Sequence, residues 1–199
     1  MRLLALSAFL AALPAAAQEL DPDELVQKIT RDVLAAIESD QALAAGDRQK
    51  AVKLAEEKVL PYIDFEEATR LAAGRGWRSA SPGQRERLVA EFRNMLVRTY
   101  SNAIEGYAGQ TLRVLPSRGK QDPQDTMVRT QFVRAGGPPL PIDFQMHKTP
   151  RGWKVYDIVV EGVSLVLTYR SEFDAVQRQD GIDGLIKRLQ EKNAPAKVG

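Results

Sequence analysis

The chain has 199 residues, no cysteine, one histidine and a formal net charge of +2, from 28 basic against 26 acidic side chains. The missing cysteines exclude disulfides, cysteine-bound metals, cysteine nucleophiles and a lipid-modified cysteine. Near-balanced charge without a basic cluster argues against nucleic acid as a partner, and the length suits one domain held by its own core.

Met1-Arg2 precedes an apolar run from Leu3 to Leu13, then Pro14 and Ala15-Ala16-Ala17. A basic start, an apolar middle and a small-residue cleavage site predict a secretory leader over residues 1–17, with Gln18 as the first mature residue. The run is too short for a membrane span, which needs roughly 20 apolar residues. The mature chain is therefore expected to be exported and unanchored.

The first half predicts helices. Asp21-Pro22-Asp23-Glu24 combines an N-cap, a proline in the first turn and a glutamate at the third position. Leu25, Ile29, Val33 and Ile37 then recur every four residues as one apolar stripe. Gly46 interrupts, and a second helix runs from about Asp47 to Val59, where Leu60-Pro61 ends it. Asp64 to Ala73 predicts a short third helix, stopped by Gly74 and Gly76. Ser81-Pro82-Gly83-Gln84 starts the longest helix, expected to reach Ile104, with Leu88, Phe92, Leu96 and Tyr100 on one face. Arg85, Arg87, Arg93 and Arg98 occupy its other positions and read as a solvated face.

The second half changes period. Thr111 to Leu115, Thr126 to Val133, Leu140 to His147 and Trp153 to Val160 predict four strands, bounded by Pro116, by Gly136-Gly137-Pro138-Pro139 and by Pro150-Arg151-Gly152. In the third, Ile142, Phe144 and Met146 point one way and Asp143, Gln145 and His147 the other. The fourth turns apolar on both faces toward its end, as a strand covered on both sides does. After the Glu161-Gly162 turn a helix carries Val166, Tyr169 and Phe173 on one face. Gly181-Ile182-Asp183-Gly184 leads to a last helix through Leu185 and Leu189, and residues 194–199 read as a flexible tail. Helices, then a strand meander, then helices make an α+β domain over residues 18–193.

Catalytic constellations are sparse. His147, the one histidine, sits on the polar face of a predicted strand and reads as a half-exposed surface residue. No phosphate loop, zinc-protease helix or nucleophile elbow occurs, and no metal or cofactor is expected. Asp157 and Glu161 flank an apolar stretch and, with Arg170 in reach, read as ion-pair residues before catalytic ones. The pattern favours binding over chemistry, so the chain is not expected to be an enzyme.

From Tyr156 to Phe173 the chain reads Y-D-I-V-V-E-G-V-S-L-V-L-T-Y-R-S-E-F. This strongly resembles the MlaC, or toluene-tolerance, family of periplasmic phospholipid-binding proteins. Leu140-Pro141-Ile142-Asp143-Phe144, Gly152-Trp153, Gly181-Ile182-Asp183-Gly184-Leu185 and Val59-Leu60-Pro61-Tyr62-Ile63-Asp64-Phe65 extend the likeness over about residues 22 to 192. Thr168 departs from the asparagine frequent in the family before Tyr169-Arg170, which bears on local helix capping. The resemblance implies a fold like nuclear transport factor 2, in which a curved, mostly antiparallel four-stranded sheet and helices enclose a deep apolar cavity. It implies a carrier of diacyl phospholipid shuttling between an outer-membrane lipoprotein–porin complex and an inner-membrane ABC transporter with its substrate-binding hexamer, keeping the outer membrane asymmetric.

The lining of that cavity follows from alternation once Asp157 is taken to face away from it. Tyr156, Ile158 and Val160 then face in, with Ile142, Phe144 and Met146 from the neighbouring strand. Val128 and Phe132 join from the strand before, and Leu96 and Tyr100 from the long helix. The rival readings are a carrier of hopanoid or another apolar ligand, a lipoprotein chaperone, and an enzyme on the same scaffold drawing its acid or base from Asp157, Tyr156 or Asp143.

Overall fold

A computed structural model describes residues 20–100, 111–116, 122–133 and 136–194. The predicted leader, the end of the long helix beyond Tyr100 and most of the predicted tail lie outside these residues.

Helix α1 (Pro22–Ser39) begins as its sequence dictates: the Asp21 side chain accepts from the Glu24 amide at 2.9 Å, and Pro22 occupies the first turn. Its stripe divides between two cores, with Leu25, Val26 and Ile29 meeting the sheet and Val33, Ala36 and Ile37 meeting α2 (Gln41–Ala44) and α3 (Arg48–Lys58). Leu60–Tyr62 forms a single 3₁₀ turn. Helix α4 (Phe65–Ala73) follows, capped by Asp64 through the Glu67 amide.

The glycines after α4 do not simply end a helix. Gly74 adopts φ 56° and ψ −118°, which reorients the chain into a further turn, α5 (Arg75–Ser79). Helix α6 (Pro82–Tyr100) opens with a reciprocal capping box: Ser81 Oγ accepts from the Gln84 amide, and Gln84 Oε1 accepts from the Ser81 amide. Its arginines tie elements together instead of forming a purely solvated face. Arg85 donates to the Trp77 carbonyl at 3.0 Å, and Arg98 donates to the Asn193 carbonyl at 2.5 Å.

Six strands, not four, form the sheet among the described residues: β1 (Thr111–Val114), β2 (Asp125–Val128), β3 (Thr130–Val133), β4 (Leu140–Thr149), β5 (Gly152–Val160) and β6 (Val163–Ser164). Their order is β1-β3-β4-β5-β6, with β2 also on β4, and every strand pair is antiparallel. The count differs for two local reasons. The expected strand Thr126–Val133 breaks at Arg129, whose carbonyl accepts from the Leu115 amide outside the ladder. Its halves part company: β2 pairs with Phe144–His147, whereas β3 pairs with Leu140–Pro141 and with β1. The tight Glu161-Gly162 turn, both residues at positive φ, then folds Val163-Ser164 back onto β5.

Helix α7 (Leu165–Asn193) closes the chain, and Gly181 (φ 66°, ψ −165°) interrupts it where the sequence predicts two helices. Its first part and the segment after Gly181 pack with α4 and α6 in a helical core of Leu88, Phe92, Met95, Tyr169, Phe173 and Leu185, among others. A second core joins α1 to the sheet through Val128, Met146, Trp153 and Val155. No helix among the described residues is long and apolar enough to cross a membrane.

Candidate functional site

The two cores meet at β5, and the register of this strand decides what stands there. Met146 pairs with Val155, but Gln145 pairs with Asp157, so β5 holds one extra residue, Tyr156. This is a β-bulge, which bends a strand and re-aims its side chains. Beyond it, Ile158 and Val160 lie opposite Phe144 and Ile142 and share a face with them. Tyr156 does not share that face in the manner strict alternation predicts. Its hydroxyl reaches Asp125 (3.0 and 3.1 Å) and Gln145 (3.3 Å), and its ring stands edge-on to His147.

A cavity of about 60 Å³ lies at this junction. Ile63, Val155 and Ile158 supply the sheet side, together with Tyr156 and Asp157 at the bulge. Phe65 and Ala68 of α4, Phe92 and Leu96 of α6, and Leu165, Val166 and Tyr169 of α7 supply the helical side. Its aromatic wall is fixed by edge-to-face contacts, with Phe92 at 5.1 Å from both Tyr169 and Phe173. The start of α7 is fixed by capping: Ser164 Oγ accepts from the Leu167 amide at 2.9 Å, and the Thr168 hydroxyl donates to the Ser164 carbonyl.

The structure distributes the ten expected lining residues over four places. Leu96, Tyr156 and Ile158 border this cavity. Val128, Phe144 and Met146 belong to the core between the sheet and α1. Phe132 and Ile142 are buried elsewhere in the sheet, and Val160 is half-buried. Tyr100 is 40 % exposed but places its hydroxyl 3.4 Å from that of Tyr169. Ile63, Phe65, Ala68, Phe92, Val155, Leu165, Val166 and Tyr169 were not foreseen as lining residues, although Phe92, Val166 and Tyr169 sit on the helix faces that periodicity marks as apolar.

Asp157 corrects the expectation that it faces away. It borders the cavity, and its carboxylate is committed to the start of α7: Oδ2 accepts from Ser164 Oγ at 2.5 Å and Oδ1 from the Val166 amide at 3.0 Å. The expected pairing with Arg170 is absent among the described residues, and the Arg170 guanidinium lies instead against Gly74. Asp143 accepts from the Thr130 amide at 3.1 Å. His147 is nearer to buried than expected, its side chain 25 % exposed, with Nε2 3.0 Å from Asp64 Oδ2. The three groups an enzyme would draw on are thus engaged in bonds that hold the fold. Burial, and then the bond to Asp125, pushes the Tyr156 phenol up to about 12.

Comparison with known proteins agrees with this architecture. The chain is 27% identical over 189 residues to the intermembrane phospholipid transport system binding protein MlaC of Haemophilus influenzae, covering 94% of this chain and 88% of that protein. It is 25% identical over 178 residues to the toluene tolerance protein ttg2D of Pseudomonas putida, covering 88% and 81% respectively. The phospholipid-binding protein of Ralstonia solanacearum, solved in complex with a phospholipid, superimposes with a TM-score of 0.81 at 36% identity, over 87% of this chain and 97% of the other. The family model described as MlaC protein matches residues 27–191, and the chain belongs to that family.

Proposed function

We propose that this protein is a periplasmic carrier of diacyl phospholipid, exported by its leader and exchanging lipid between the two membranes of the cell envelope. The observation that carries the reading is the cavity where the helical and sheet cores meet, walled by Phe92, Leu96, Val155, Ile158 and Val166 in a fold shared with a phospholipid-bound relative. Its partners are then an outer-membrane lipoprotein–porin complex and an inner-membrane ABC transporter with a substrate-binding hexamer. The carrier performs no reaction of its own.

Burying a CH₂ group is worth roughly 0.8 kcal/mol, so two acyl chains gain on the order of 20 kcal/mol over water. Lipid does not leave such a site into the aqueous phase. A bilayer offers a similar gain, so exchange with a membrane is nearly balanced and direction comes from partners. The roughly 60 Å³ at the junction is far too little for two acyl chains. Acyl chains therefore enter by parting the helical layer from β5, deepening this cavity in the manner expected of a scaffold like nuclear transport factor 2.

Native mass spectrometry of the chain from Gln18 onward, purified without detergent and followed by lipid extraction, tests the proposal. A stoichiometric adduct with the mass of a diacyl phospholipid is expected. A lipid-free protein that also takes up no phospholipid from vesicles overturns it. Ile158→Glu in a folded protein is expected to lower bound lipid severalfold.

A further inference from the structure

Three side chains bordering the cavity can form strong hydrogen bonds: Tyr156, Asp157 and Tyr169. Two are spent. The Tyr156 hydroxyl has one hydrogen, and Asp125 and Gln145 stand ready to accept it. Both Asp157 oxygens accept from the start of α7.

Tyr169 differs. Its hydroxyl meets only the Tyr100 hydroxyl among the described residues, at 3.4 Å, a long contact for two O–H groups. The two phenols own two hydrogens, and a bond between them uses one. Among the described residues, one O–H of the pair is left to donate at the rim of an otherwise apolar site. With Tyr169 donating to the 40 % exposed Tyr100, the second O–H points from the pair toward water, where a ligand acceptor can replace a water molecule.

Position gives this donor its meaning. Exposure rises from Phe92 (1 %) through Tyr169 (8 %) to Tyr100 (40 %), so the hydroxyl pair marks the line where the aromatic wall meets water. A lipid places its apolar chains and its oxygen-bearing end on either side of such a line. We infer that the Tyr100–Tyr169 hydroxyl pair is the subsite for the polar end of the bound lipid, donating its unspent O–H to an ester carbonyl or phosphate oxygen. The acyl chains then run inward past Phe92 toward Val155 and Ile158. The Asp157 carboxylate disfavours an anionic phosphate at the bulge, which reinforces that orientation. Burial pushes the Tyr169 phenol well above its ordinary value, so it remains a donor across the neutral range.

This inference rests on the carrier reading, and the experiment separates the two. The mature wild-type chain and the Tyr100→Phe, Tyr169→Phe and double variants are incubated with three kinds of vesicle. One contains palmitoyl-oleoyl phosphatidylglycerol, one its di-ether analogue and one phosphatidylcholine doped with diacylglycerol. Bound lipid is counted after re-isolation.

One neutral hydrogen bond sets the expected size of the effect at roughly 3- to 10-fold. If the carbonyl is the acceptor, the wild type prefers ester over ether lipid by that factor and the double variant loses the preference. If phosphate is the acceptor, wild type binds ester and ether lipid alike, and the double variant loses both while keeping diacylglycerol. Both replacements keep the rings, and each single variant lowers the effect in part, so a misfolded double variant does not remove the test. Equal loading of all lipids by wild type and folded variants overturns the inference and leaves the carrier standing. A wild type that loads none of the lipids overturns both.

Discussion

The Asp157 carboxylate clamps Ser164 at 2.5 Å and the Val166 amide at 3.0 Å, fastening the bulge of β5 to the first turn of α7. One side chain thereby joins the sheet to the helix that carries the aromatic wall. Asp157→Ala removes two acceptors and leaves a part-buried hydroxyl and an amide short of partners. It is expected to lower stability by about 1–3 kcal/mol in denaturant unfolding. Asp157→Asn keeps one acceptor and is expected to recover roughly half of that loss. Equal stability of Asp157→Ala and wild type would show the clamp to be idle.

The aromatic wall predicts a larger effect. Phe92 is 1 % exposed and meets both Tyr169 and Phe173 edge-to-face at 5.1 Å. Phe92→Ala deletes the ring from the helical core and enlarges the cavity it borders. The expected cost is about 3–5 kcal/mol, read as a lower denaturation midpoint at unchanged slope. Phe92→Leu keeps much of the volume and is expected to lose less than half as much.

Most of the fold was legible because local chemistry and tertiary demand agree. Asp21, Asp64 and Ser81 each cap the helix their sequence announces. Ile142, Phe144 and Met146 alternate through β4 as read. The failures lie where a single residue breaks a period. Arg129 divides one expected strand into β2 and β3, and Tyr156 is the extra residue in β5. Neither residue type signals a break, since both are ordinary in strands. The cavity wall was legible only in part for a different reason. It assembles Ile63, Ala68, Leu96 and Val166 from segments far apart in the chain, and periodicity marks an apolar face without saying which other face it meets.

Alkaline pH is expected to weaken the fold through its tyrosines. The Tyr156 phenol, ordinarily near 10.0, is pushed up to about 12 by burial and then by Asp125. Tyr169 is shifted the same way, by burial and then by Tyr100. Between the ordinary and the raised values the folded chain keeps protons that the unfolded chain releases. Stability is therefore full below about pH 10 and is lost as pH rises through 12. Tyrosinate absorbance followed during alkaline titration is expected to show a late-ionising class among the five tyrosines. Tyr156→Phe should remove one member of that class, and titration of all phenols together near their ordinary value would contradict the burial seen here.

Asp64 performs two tasks that substitution can separate. One oxygen caps α4 by accepting from the Glu67 amide at 2.9 Å, and the other stands 3.0 Å from His147 Nε2 on β4. The first task belongs to the helix, and the second pins the start of α4, next to the cavity residues Phe65 and Ala68, across to the sheet. Asparagine is as good an N-cap as aspartate but carries no charge. Asp64→Asn is therefore expected to keep the helix and weaken only the link to His147, at a cost below about 1 kcal/mol for a partly exposed pair. Asp64→Ala loses the cap as well, and about 1–2 kcal/mol in total is expected. In the His147→Ala background the Asp64→Asn cost should disappear while the additional cost of Asp64→Ala persists. Persistence of the Asp64→Asn cost in that background would mean that the carboxylate serves something other than the histidine.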